Sequence, residues 1–196
     1  MPVMSVEGSS KAQPATAGSS KAPLLPPLQP ATAVLVVGMA GSGKSTFAAR
    51  LAKEVDEKAK NKMKAAEGAA GEGTTGGGAY FLNLDPAVSN LAYPPNVDIR
   101  DTIDYSQVMS QYNLGPNGGI LTSLNLFTTK FDQVLSILEQ RAASVDTIVI
   151  DTPGQIEIFT WSASGTLITS SLLSSSIPTV VAYIIDTPRT TSPATF

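Results

Sequence analysis

"TAVLVVGMAGSGKST", residues 32–46, decides the fold. Its opening run is apolar and rich in β-branched residues, bounded by Pro30 and Gly38, and reads as a buried parallel strand. The strand feeds into Gly38-Met39-Ala40-Gly41-Ser42-Gly43-Lys44-Ser45, a complete G-x-x-x-x-G-K-[ST] phosphate loop. In such a loop the glycines let successive backbone N–H groups turn inward on phosphate oxygens. The lysine brings a point charge to the outer phosphates, and the serine hydroxyl can ligate Mg²⁺. From Thr46 to about Lys64, Phe47, Leu51, Ala52 and Val55 recur at helical spacing, so a helix follows and adds its N-terminal dipole to the anion site. A glycine-rich turn with an incidental Lys-Ser would not require a strand before it and a helix after it.

Three further strands are predicted: residues 79–85, ending at Asp85-Pro86; residues 146–151; and residues 178–186. The strand at 146–151 is preceded by a predicted helix over 127–143, with Phe131, Val134, Leu135 and Leu138 on one face. This alternation indicates a parallel α/β sheet covered on both faces by helices, with ligands at the carboxyl ends of the strands. Gly38, Asp85, Asp151 and Asp186 all fall at those ends.

"IVIDTPGQ", residues 148–155, is the second chemical signature. Asp151 at a strand end is placed to hold Mg²⁺ through water, and Gly154 offers a backbone N–H where a γ-phosphate would sit. Asp-Thr-Pro-Gly alone is an ordinary turn, whereas paired with the upstream loop it marks a nucleoside triphosphate hydrolase. In "NVDIRDTIDYSQVM", Asp98, Asp101 and Asp104 recur every three residues. They form either a solvated charged face or a switch segment in which one carboxylate orients an attacking water. Gly115-Pro116-Asn117-Gly118-Gly119, by itself, reads as a turn.

Composition narrows the chemistry. The 196 residues, 42% hydrophobic, suit one core, and the absence of Cys and His excludes disulfides, a thiolate nucleophile, a Cys/His zinc site and an imidazole base. A net charge of −3 without a dense Lys/Arg stripe argues against direct nucleic-acid binding; the helix over "KEVDEKAKNKMK" mixes charge signs as a solvated face does. Residues 1–30 read as a disordered leader and residues 67–79 as a flexible Gly-rich surface insertion. No stretch reaches the ~20 apolar residues of a membrane span, so a soluble cytoplasmic protein is expected.

In order and spacing, "VVGMAGSGKST", "YFLNLDPAV", "NVDIRDTIDY", "LGPNGG", "DTPGQIEIFTWSASG" and "AYIIDTPR" resemble the GPN-loop GTPases across about residues 31–196. "WSASG" and "DTPRTTSPATF" look most like the eukaryotic branch implicated in RNA polymerase II assembly and nuclear import. The resemblance implies a P-loop NTPase fold and Mg²⁺-dependent GTP hydrolysis at the interface of a homodimer, or of a heterodimer with a paralogous GPN-loop GTPase. It also implies RNA polymerase II subunits as partners and shuttling to the nucleus. By it, Gly38 through Ser45, with Gly41, Ser42, Gly43 and Lys44, bind phosphate, Thr46 lies near the α-phosphate, and Ser45 and Asp151 serve the metal. Gly154 binds the nucleotide, Asp101 positions water, and Gly115-Pro116-Asn117 reaches into the partner's site. Gln155 and Asp85 are lesser candidates, and Asp85 reads equally as a cap on the following turn.

Met39 and Ala40 stand where related dimeric P-loop proteins carry an extra lysine, so Asn117, supplied in trans, is expected to do part of that work. The family's N/T-K-x-D guanine-reading segment is not found. The chain is therefore expected to be C-terminally truncated, with an apolar sheet edge left exposed. Two other readings stay open: a nucleotide-regulated binding module presenting Phe159 and Trp161 if these are not core, and an ATP-dependent P-loop enzyme.

Overall fold

The computed structural model describes residues 31–67 and 77–191. The leader, most of the Gly-rich insertion and the last five residues lie outside the described residues, and so do the expectations placed on them. Among the described residues five parallel strands form one sheet: β1 (Thr32–Gly38), β2 (Ala79–Asn83), β3 (Val97–Asp98), β4 (Thr147–Asp151) and β5 (Thr179–Ile184), in the order β3-β2-β4-β1-β5. Every pairing is parallel, as the alternating sequence requires.

Register fixes the site. Val36 stands beside Asp151 and Gly38 beside Ile184, so the end of β4 and the start of the phosphate loop lie on adjacent strands. Alternation along β1 feeds two apolar layers, as a strand buried on both faces must. Leu35 and Val37 pack with the helices α3 (Pro116–Thr128), α4 (Phe131–Ala142) and α6 (Ala163–Ser174). Val36 faces the opposite layer with Ala48 of α1 (Lys44–Glu67), Phe81, Tyr93 and Val149. Phe131, Val134 and Leu138 of α4 are buried as their spacing predicted, each contributing roughly 1.5–3 kcal/mol.

Several expectations need correction. The helix predicted over 127–143 is the end of α3 followed by α4; Lys130 lies between them with backbone angles outside the helical range. The sheet has five strands rather than four, because β3 is only two residues long and too short to show a period. The helices α2 (Tyr105–Tyr112), α5 (Ile156–Thr160), α6 and α7 (Thr187–Thr190), and α3 ahead of Phe127, were not foreseen. Gly115-Pro116-Asn117 is not a free turn: Gly115 caps α3 and Pro116 is its first residue, where the missing N–H costs nothing. β5 lies at the sheet edge with Val180, Val181 and Tyr183 exposed, the apolar surface that the sequence led us to expect. Among the described residues no helix is long and apolar enough to cross a membrane.

Candidate nucleotide site

The phosphate loop is held open by its glycines. Gly41 and Gly43 take φ of 78° and 94°, in the left-handed region that glycine alone enters cheaply, and no atom stands within 4 Å of where a Cβ would project. At Gly38 the constraint is space instead, since a Cβ there would lie inside contact distance of the Ile184 carbonyl oxygen and 2.9 Å from Ser42 Oγ. Its bare Cα lets β5 approach the loop.

Lys44, the first residue of α1, is buried. Its ammonium donates to the carbonyls of Gly38 at 2.9 Å and Met39 at 3.1 Å, so the loop's own oxygens occupy the cation. Burial lowers its pKa, while Asp151 and Asp85 act in the opposite sense. Both carboxyls are pushed up by burial despite Lys44. One desolvated cation therefore faces two desolvated carboxylates, and Arg100 adds a further favourable charge at Asp85.

Asp151 ends β4 and is buried. Its Oδ2 accepts a 2.8 Å hydrogen bond from Tyr93, whereas Oδ1, also buried, has no hydrogen-bond partner. Ser42 Oγ is likewise buried and unpartnered. Thr152 Oγ1 donates to the Val36 carbonyl at 2.8 Å and locks the two strand ends together. A Cβ on Gly154 would meet Ala40 Cβ at 3.4 Å and Lys44 Nζ at 3.9 Å, which places the Asp-Thr-Pro-Gly turn over the loop. The Gly154 amide lies close enough to Asp85 to favour its charged form. Asp85 also accepts from the Ala87 N–H at 2.9 Å, as a residue capping the following turn does.

These observations fit a Mg²⁺ ion. Among the described residues no three acidic, His or Cys side chains gather as a metal cage. None is needed, since Mg²⁺ at phosphates is held by one or two protein oxygens with waters and phosphate oxygens. The orphaned Asp151 Oδ1 supplies such an oxygen, and Ser45 is the second residue of α1.

The other predicted residues fall at several distances from this cluster. Ser45 is half-buried and Thr46 exposed in the first turn of α1. Gln155 caps α5 beside Gly154. Asp101 is exposed in a 3-10 turn over Ile99–Asp101 and lines a cavity of about 290 Å³ with Asn96, Ile103, Phe127 and Lys130. Arg100 lies within electrostatic reach of both Asp101 and Asp85. Asn117 is exposed, in the first turn of α3. Gly119 admits α2: a Cβ would fall 2.6 Å from Met109 Cγ and 2.8 Å from Tyr105 Cε2.

The three aspartates spaced by three have separate fates. Asp104 caps α2, Asp101 is exposed, and Asp98 is buried. Asp98 accepts from Arg100 Nη2 at 2.6 Å, from Arg100 Nε at 3.0 Å and from Asn83 Nδ2 at 2.9 Å. Burial alone would raise its carboxyl, but these donors hold it below the ordinary value. A depressed native pKa stabilises above the unfolded value, about pH 4, and that stability is lost as pH falls through the native value. Asp98→Asn should cost about 2 kcal/mol at pH 7, and urea midpoints at about pH 7 and about pH 2.5 should show the gap to wild type shrinking in acid.

Tyr93, Asn83 and Arg100 escaped the sequence reading. Asn83 carried a signal, a lone amide inside an apolar strand, and it is fully buried with its amide shared between Asp98 and the Asp85 carbonyl. Tyr93 carried none that a Pro-flanked loop would reveal.

Comparison with known proteins bears on the fold and the family. Residues 73–196 match a protein family described as conserved hypothetical ATP binding protein, a stretch that holds Asp151 and Gly154 and begins after the phosphate loop. The chain is 59% identical over 164 residues to GPN-loop GTPase 1 of Schizosaccharomyces pombe, covering 84% of this chain and 40% of that protein. It is 56% identical over 163 residues to GPN-loop GTPase 1 of Dictyostelium discoideum, covering 83% and 37%. A GTPase from Pyrococcus abyssi solved in its apo form is similar at 28% identity and a TM-score of 0.53, over 78% of this chain and 52% of that one. The chain thus spans about 37–40% of the length of these two curated relatives.

Proposed function

The chain belongs to the family of the GPN-loop GTPases, and on that premise we propose that it binds GTP with Mg²⁺ and hydrolyses it to GDP and phosphate. The observation that carries this is the buried cluster under the phosphate loop: Lys44 between two carboxylates, with Asp151 Oδ1 and Ser42 Oγ unpartnered. A triphosphate entering the loop exchanges the Gly38 and Met39 carbonyls on Lys44 for phosphate oxygens. The Gly154 amide then faces the γ-phosphate, and Asp151 and Ser45 would hold a Mg²⁺ ion, which when bound would supply positive charge to the phosphates. Water, oriented by Asp101, attacks the γ-phosphorus, the bond from that phosphorus to the β–γ bridging oxygen breaks with its electron pair on GDP, and the water's proton leaves with the phosphate product.

GTP is preferred to ATP in this reading because the close relatives are named GTPases, although the family description speaks of ATP. We further assign Asn117 a role in trans. It is exposed at the start of a helix preorganised by Pro116, with an uncharged donor and acceptor to offer a partner's phosphates. The cellular role proposed is a conformational switch in RNA polymerase II assembly and nuclear import, by resemblance to the eukaryotic branch. The test is titration with fluorescent GTP and ATP analogues, with and without Mg²⁺, followed by hydrolysis assays across protein concentration. Asn117→Ala should lower the rate constant about 100-fold while leaving GTP affinity intact. Equal affinity for ATP, or a rate untouched by Asn117→Ala, overturns the respective part.

One observation favours a second role beside catalysis. Phe159 is buried, but Trp161 is 86% exposed, and Leu167 and Leu173 of α6 are exposed as well. Exposed aromatic anchors suit a protein partner. Capture of that partner unaltered by Lys44→Ala would separate binding from turnover.

A further inference from the structure

We propose that Tyr93 is the positioning residue of the metal site: its phenol fixes the Asp151 carboxyl so that Oδ1, and not Oδ2, is presented to the cation. The inference rests on the reading of Asp151 given above and deepens it.

The geometry is specific. Tyr93 lies in the loop between β2 and β3, 58 residues from Asp151 in sequence, and donates to Oδ2 at 2.8 Å from a buried position. Its ring stacks on Phe81 with centroids 4.5 Å apart and an interplanar angle of 28°. The loop is tied down on both sides of Tyr93. Arg100 Nη1 donates to the Val88 carbonyl at 3.0 Å, and Asn96 Oδ1 accepts from Phe81 N–H at 2.7 Å. The phenol therefore has one position, and the carboxyl it holds has one orientation.

Packing does not account for the hydroxyl. The surrounding layer of Val36, Ala48, Phe81 and Val149 is apolar, and a phenylalanine would fill the same space without a polar atom to satisfy. Nor is the bond there to satisfy Asp151, since Oδ1 remains unpartnered. A carboxylate turns easily about its terminal torsion, and a bond on one oxygen stops that turn. Holding one oxygen and leaving the other bare is what an outer partner of a metal ligand does.

The test is Tyr93→Phe in the full 196-residue chain, with Mn²⁺ binding followed by electron paramagnetic resonance in the presence of a non-hydrolysable GTP analogue. The metal concentration for half-saturation should rise about tenfold. Metal-free binding of the analogue should not change, because the phosphate loop is untouched. Leu138→Ala, on the opposite face of the sheet, controls for destabilisation and should leave half-saturation where it is. An unmoved half-saturation in Tyr93→Phe, with wild type binding metal normally and Asp151→Asn losing it, overturns the inference alone. If Asp151→Asn binds metal as wild type does, the metal site itself is misassigned and both readings fall.

Discussion

Lys44→Ala should lower GTP hydrolysis by about 10²–10³-fold, with a matching loss of affinity for the triphosphate. The thermal midpoint should move by only a few degrees. The reason lies in what the ammonium does before any nucleotide arrives. Buried and bonded to two loop carbonyls, it is carried at a desolvation cost that the fold alone does not require. Removing it frees two carbonyls and deprives Asp151 and Asp85 of their nearest cation, which costs stability. It also removes a desolvated charge, which returns stability. The two changes oppose each other in the folded chain and add in function, since Arg100, which also acts on Asp85, is committed to Asp98. Lys44→Arg should not rescue, because a planar guanidinium does not fit a space shaped for a compact ammonium. Activity is read by single-turnover hydrolysis and folding by circular dichroism; retained hydrolysis in a folded Lys44→Ala chain would remove this residue from the mechanism.

The carboxylates show the same strain from the other side. Asp85 and Asp151 have raised native pKa values, so lowering the pH into their titration range removes unfavourable charge and favours the folded state. Asp98 acts in the opposite direction. The strand ends thus hold one carboxylate that stabilises the fold and two that strain it. The strained pair sits with Lys44 and the open loop, where a cation and a triphosphate would relieve it.

What was legible in the sequence follows from range. The phosphate loop, the strand that feeds it and the Asp-Thr-Pro-Gly turn are local patterns, and each is found where the pattern put it. Residues that act across the sheet left no such trace. Tyr93 meets Asp151 only because β2 and β4 are neighbours, and Asn83 meets Asp98 only because β3 pairs with β2. The aspartates at 98, 101 and 104 suggested one face because a period of three was assumed; the chain changes from strand to 3-10 turn to helix cap across them and scatters their side chains. Pro116 was an available signal for a helix start that the turn-like glycines around it obscured.

Gly165→Ala should destabilise the chain by about 4 kcal/mol, a large cost for one methyl group. Helix propensity alone would favour alanine by about 1 kcal/mol in α6, so the sign of the result separates propensity from fit. Fit decides here, because a Cβ on Gly165 would land on the Phe159 carbonyl oxygen and within 2.8 Å of its carbon. Those are backbone atoms with no rotamer to escape into. Ser162 clamps the same corner, its hydroxyl accepting from Gly165 N–H at 3.0 Å and donating to the Phe159 carbonyl at 3.2 Å. Ser162→Ala should cost only about 1 kcal/mol, since a lost cap leaves groups that water or small shifts can serve. The steric change offers no such route, and α5 must move away from α6. That helix is capped by Gln155, next to the Gly154 amide over the phosphate loop, so the displacement reaches the nucleotide. Urea unfolding should therefore show the stability loss, and GTP-analogue titration should show weaker binding in the fraction that stays folded. Affinity unchanged in a destabilised Gly165→Ala chain would mean that the α5–α6 corner yields on the α6 side, leaving Gly154 in place.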